Sequence, residues 1–112
     1  KPLLVLKYNL LSTIYPEDPV ITQLFQAYCR TDIPGKELVA VLKQCRGMSP
    51  LLAIQYMPII IQVLLELMVA RDSKEPGNPS QEAFKALILV LHKYVRHLAL
   101  PRVRRACSST RC

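Results

Sequence analysis

Tryptophan is absent from these 112 residues, phenylalanine occurs twice and glycine three times. So few glycines leave no Gly-rich loop to cradle a phosphate, which sets nucleotide-binding motifs aside. The four cysteines, Cys29, Cys45, Cys107 and Cys112, form no CxxC pair and no compact disulfide framework. Reduced thiols fit best, with Cys29 and Cys45 on apolar helix faces, although a Cys29–Cys45 disulfide is an open alternative. Acidic residues are missing from His92 onward, where Lys93, Arg96, Arg102, Arg104, Arg105 and Arg111 supply six positive charges. The net charge of +7 therefore belongs to the C-terminal end, since the chain before it is almost balanced. A secretory leader is not visible, because Lys7 interrupts the first apolar run after four residues.

Catalytic and metal-binding patterns are equally thin, and no catalytic, cofactor or metal residue is assigned. His92 and His97 lie five apart beside Lys93 and Arg96, where zinc-binding helices use a spacing of four with a nearby acid. Surface histidines are the expectation. Ser12, Ser49, Ser73 and Ser80 fall at element ends, caps or loops, so no Ser/His/Asp set can be built. Glu17 and Asp18 precede a helix and suit its dipole.

What is present is aliphatic: 51% of the residues are hydrophobic, mostly Leu, Ile and Val. Residues 3–14 alternate in the manner of a strand, with Leu4, Leu6, Tyr8 and Leu10 on one face. A single strand lacks backbone partners, so this one is an orphan. Tyr15-Pro16-Glu17-Asp18-Pro19 is a turn that opens a helix to about Arg30, with Ile21, Leu24, Phe25 and Tyr28 in register. A second helix follows Pro34-Gly35 and ends near Arg46, with Leu38, Val41, Leu42 and Cys45 inward and Gly47 as its cap. Ser49-Pro50 starts a third, spanning roughly 50–71 and kinked by Pro58. Gln55, Gln62 and Glu66 make its one polar stripe, which argues for a buried helix over a membrane span. Asp72–Asn78 is a mobile polar loop. Asn78-Pro79 opens a fourth helix with Phe84, Leu87, Ile88, Leu91, Val95 and Leu98 on its core stripe, ended by Pro101. Residues 101–112 are expected to be a disordered basic tail.

The expected fold is thus mainly α: four helices in antiparallel pairs, as in armadillo or HEAT solenoids, preceded by one orphan β-strand. The unpaired strand, the apolar excess and a start at Lys1 in mid-pattern suggest a segment of something larger.

Three stretches, in order, carry a resemblance. Leu10-Leu11-Ser12-Thr13-Ile14-Tyr15 with Asp18 and Leu24-Phe25 is the first. Pro34 to Val39 with Leu42-Lys43 is the second, and Met48 with Ile54 to Ile60 the third. Together they resemble the dedicator-of-cytokinesis (DOCK) family, in particular its zizimin-like and related subfamilies, over residues 1–98. The sequence departs from that pattern at Pro16-Glu17 and in keeping only Phe25 of an aromatic pair, and residues after Pro101 resemble nothing in the family. The resemblance implies a parent guanine-nucleotide exchange factor for Rho-family GTPases such as Rac or Cdc42. Its exchange domain and most of its phosphoinositide-binding C2-like domain would lie outside this chain. Residues 1–14 would then be the last strand of that C2-like domain, 15–100 an armadillo-like scaffold segment and 101–112 the tail.

The expectation is therefore a non-enzymatic, cytoplasmic scaffold fragment without cofactor. Its partners would be neighbouring domains of the parent, with GTPase and membrane reached through those domains and no nucleic acid involved. Two alternatives compete: a stand-alone helical adaptor that binds a partner helix, and a membrane or nucleic-acid binder led by residues 92–112.

Overall fold

A computed structural model describes residues 2–110, with side chains from Leu3 to His97. Among the described residues there are six α-helices and one 3-10 turn, and no strand. In order these are α1 (Pro2–Ile14), α2 (Pro19–Cys29), α3 (Gly35–Lys43), the 3-10 turn Gln44–Gly47, α4 (Pro50–Gln55), α5 (Met57–Ala70) and α6 (Pro79–Thr110). The mainly helical class agrees with the sequence reading.

The strand expected over 3–14 is instead helix α1. Its apolar run satisfies two periods at once. The helical one places Leu4, Tyr8, Leu11 and Tyr15 on a single side. Leu4 and Tyr8 are buried, and Leu11 and Tyr15 pack partly buried beside them. A helix satisfies its own backbone, whereas a lone strand would have left every amide and carbonyl without a ladder partner. The Tyr8 ring stacks on Phe25 of α2 at 4.2 Å between centroids and tilts against Tyr56 at 5.8 Å. Tyr15 meets Tyr56 edge-on, and Phe25 touches Tyr28. A continuous aromatic file therefore runs from α1 through the α4–α5 junction to the end of α2.

Two proline dipeptides set the helix starts around this file. Asp18 caps α2: one carboxylate oxygen accepts from the amides of Val20 at 2.7 Å and Ile21 at 3.4 Å. Its other oxygen accepts from the Ser49 amide at 3.0 Å, 31 residues further on. Ser49 in turn caps α4, taking the Leu52 amide on its hydroxyl at 3.5 Å. One buried carboxylate thus fixes the entries of two helices. The expected kink falls two residues earlier than Pro58. Tyr56 leaves helical geometry (φ −96°, ψ 9°), and Pro58 sits in the first turn of α5, where its missing N–H costs nothing. The Tyr56 hydroxyl donates to the carbonyls of Tyr15 and Pro16 at 3.3 and 3.4 Å, tying the break to the turn after α1.

The loop expected to be mobile, Asp72–Asn78, is pinned. Arg71 grips Glu75 through Nε at 3.1 Å and Nη2 at 2.7 Å, and Nη2 also donates to the Ile33 carbonyl at 3.0 Å. Gly35 lies against this loop so closely that a Cβ there would stand 2.7 Å from a Glu75 carboxylate oxygen. Gly77 (φ 82°) and Asn78 (φ 48°) take the left-handed turn that aims the chain into α6. The Asn78 side chain then accepts from the Gln81 amide at 3.1 Å.

α6 packs along α5 and also lies against α3 and α4. Of the stripe expected to face inward, Leu87 is buried and Leu91 partly buried, but Ala83, Ala86 and Val90 complete the buried face, while Phe84, Ile88 and Val95 are about half exposed. The small alanines let α6 approach its neighbours closely, which bulky Phe84 and Ile88 would have prevented. Leu98 lies outside the described side chains. Pro101 does not end the helix, whose backbone continues to Thr110. Arg and Ala, which follow Pro101, are strong helix formers, and a proline there removes one N–H from the ladder. The tail expected to be disordered is thus helical as far as Thr110, and Arg111 and Cys112 lie outside the described residues.

Candidate functional site

A hollow of about 550 Å³ lies between the C-terminal end of α2, the α2–α3 loop and the C-terminal half of α5. Its walls follow from the α5 sequence. Ile60, Val63, Leu64 and Leu67 turn into the core, so Leu65 and Val69, one position on from Leu64 and two from Leu67, are carried toward solvent. Leu65 is 40% and Val69 80% exposed. They face the hollow with Tyr28 and Ile33 across it.

The charged and phenolic groups here are already committed. The Tyr28 hydroxyl donates to Glu66 Oε1 at 2.6 Å, and Gln62 Nε2 donates to the other Glu66 oxygen at 2.9 Å. Burial, followed by the Glu66 carboxylate, pushes the Tyr28 phenol well above its ordinary value of 10.0. Tyr28 therefore acts as a donor at neutral pH. Arg71, at the other end of the hollow, is occupied by Glu75 and the Ile33 carbonyl. What this arrangement offers a ligand is apolar surface between two fixed polar ends, suited to binding side chains of a partner.

The residues weighed for chemistry are dispersed. Ser49 is a cap, Ser12 donates to the Tyr8 carbonyl at 2.9 Å, and Ser80 donates to the Met68 carbonyl at 2.7 Å. Glu17 accepts from the Tyr8 hydroxyl at 3.4 Å, while its neighbour Asp18 is the double cap. His92 and His97 sit on α6, and no cluster of metal-ligating groups is present among the described residues. Cys29 and Cys45 are both free thiols. Cys45 is buried as expected, but Cys29 is exposed: it is the last residue of α2 and lies about 100° round from buried Tyr28. Burial pushes the Cys45 thiol up to about 11, against a lowering by nearby Lys93. No helix among the described residues is long and apolar enough to cross a membrane.

Sequence reasoning missed both the hollow and a second apolar surface. On α1, Leu3, Leu6, Leu10 and Ile14 are each more than half exposed and share one side. Their spacing of three, four and four was the available signal, hidden by the strand reading of the same residues. Comparison of the chain with protein-family models, with curated proteins and with solved structures gives no match.

Proposed function

We propose that this chain is a non-catalytic helical scaffold, an armadillo- or HEAT-like segment of a DOCK-type guanine-nucleotide exchange factor for Rho-family GTPases. The family part of this reading rests on the three ordered stretches that resemble it. The scaffold part rests on one observation above the others: a helical assembly whose described buried polar side chains all have partners carries several apolar outer surfaces. Among them are the α1 stripe and the α5 side of the hollow. Solenoid segments present such surfaces to the helices stacked on either side of them. In this setting the chain positions neighbouring domains in the cytoplasm, and contact with GTPase and membrane is made through those domains.

Light scattering with a hydrophobic dye tests the scaffold reading. The chain is expected to self-associate or bind dye at micromolar concentration. A Leu6→Glu/Leu10→Glu variant, altered only at exposed positions, is expected to suppress this while keeping its helicity. In parallel, the chain is expected to leave fluorescent-nucleotide release from Rac or Cdc42 at its spontaneous rate, and catalysed release would defeat the non-catalytic reading.

The stand-alone adaptor is the second reading, and a specific observation favours it. α1 buries Leu4 and Tyr8 in the common core, so the orphan strand that argued for a segment has become part of a packed unit. A monodisperse wild-type chain that melts cooperatively and ignores the dye would select the adaptor.

A further inference from the structure

We propose that the outer face of α6 docks on an anionic lipid bilayer, lying in the interface and not crossing it. Independently of the scaffold reading, the inference rests on how α6 distributes its side chains. Phe84, Ile88, Leu91 and Val95 follow one another at intervals of four, three and four, which puts them on one stripe. Phe84 is 50%, Ile88 51% and Val95 57% exposed, and Leu91 is partly buried at the edge. Lys85, His92 and Arg96 form a second stripe, one residue or about 100° further round for Lys85 and Arg96. Ala83, Ala86, Leu87 and Val90 hold the opposite face in the core.

A row of half-exposed aliphatic and aromatic groups alongside cations is the pattern of an interfacial helix, which sinks its apolar side about 5–10 Å into the headgroup boundary. Charge complementarity selects the sign of the surface. The one acid in the first turn, Glu82, is paired with Lys85 at 3.4 Å. From His92 to Cys112 there are six cations and no acid, and the helical backbone runs on to Thr110. Arg96 is exposed on the cation stripe, whereas Lys93, about 180° round the helix from Phe84, turns inward onto the carbonyls of Arg46 at 2.5 Å and Met48 at 3.3 Å and takes no part in this face.

A polynucleotide would match the cations but give the aliphatic stripe nothing to contact. An uncharged peptide helix would match the aliphatic stripe but leave the cations without an anionic partner. A bilayer satisfies both stripes at once.

The test is flotation of the full chain with phosphatidylcholine vesicles and with vesicles of phosphatidylcholine and phosphatidylserine. Recovery with the anionic vesicles is expected to be at least about tenfold higher, and to fall about tenfold as salt rises from about 50 to about 300 mM. Lys85→Glu/Arg96→Glu and Phe84→Ser/Ile88→Ser/Val95→Ser should each reduce binding about tenfold, with helicity by circular dichroism unchanged. If the triple variant loses helicity, Ile88→Ser and Val95→Ser alone provide the apolar measurement. Equal recovery with neutral vesicles, insensitivity to both sets of variants, or tighter binding to a single-stranded oligonucleotide or to polyglutamate than to the anionic vesicles would overturn the proposal.

Discussion

Replacing Asp18 tests the packing logic at its most concentrated point. The carboxylate is 6% exposed and accepts three backbone N–H groups from two helix entries. In Asp18→Ala the α2 cap is lost, at about 1 kcal/mol. The Ser49 amide loses a charged acceptor in a part-buried site, which adds about 2 kcal/mol. The sum, about 3 kcal/mol, corresponds to a fall in melting temperature of about 12 °C for a domain of this size. Asp18→Asn separates the two contributions. Its single carbonyl oxygen can keep either the α2 cap or the Ser49 contact, while its NH2 group meets a donor on the other side. It should therefore recover about half of the loss, some 1–2 kcal/mol. Urea and thermal unfolding followed by circular dichroism measure both variants. If Asp18→Asn is as stable as the wild type, or Asp18→Ala costs under about 1 kcal/mol, the Ser49 contact contributes nothing and the double-cap argument fails.

Three other outcomes follow from the same structure. Leu64→Asp buries a carboxylate in a fully buried position and should cost several kcal/mol, about 3–5. Gln62→Asp lies on the exposed stripe and should cost only a few tenths, about 0.5 kcal/mol, through repulsion with Glu66 four residues on. Equal costs in urea unfolding would misplace α5. At neutral pH a maleimide reagent should label Cys29 rapidly and leave Cys45 untouched until the protein unfolds, as read by peptide mass spectrometry. Because the folded Tyr28 phenol is raised, its hydrogen bond to Glu66 supports the fold in full below the ordinary value of 10.0. That support is lost as pH rises beyond it. Wild type should therefore lose stability above that pH more steeply than Tyr28→Phe, and parallel profiles would contradict the assignment.

Much of the helical order was legible because the punctuation was local. Asp18-Pro19, Ser49-Pro50 and Asn78-Pro79 mark the starts of α2, α4 and α6, and Ile21, Leu24, Phe25 and Tyr28 are buried as their spacing requires. α1 was not legible, because Leu4, Leu6, Tyr8 and Leu10 satisfy a period of two while Leu4, Tyr8 and Leu11 satisfy 3.6. Only a neighbour decides between them, and that neighbour is Phe25, 17 residues from Tyr8. α6 misled for a related reason: its apolar residues exceed one face, and alanine, weak in any hydrophobicity ranking, holds the buried side. The candidate site escaped because it lies between α2 and α5. The Asp18–Ser49 and Arg71–Ile33 contacts likewise join residues more than 30 apart.

α6 reaches α3, α4 and α5, and its Ala83 and Val90 are completely buried. During synthesis, then, residues 1–78 emerge with the core they form still open along one side. The sides of α3, α4 and α5 that α6 covers would remain accessible to chaperones and proteases until the first turns of α6 leave the ribosome. A nascent chain stalled with residues 1–78 outside the exit tunnel should be cut readily by protease, and one stalled with 1–97 outside should resist. Early resistance would mean that the first five helices close on one another and that α6 is only added to a finished core.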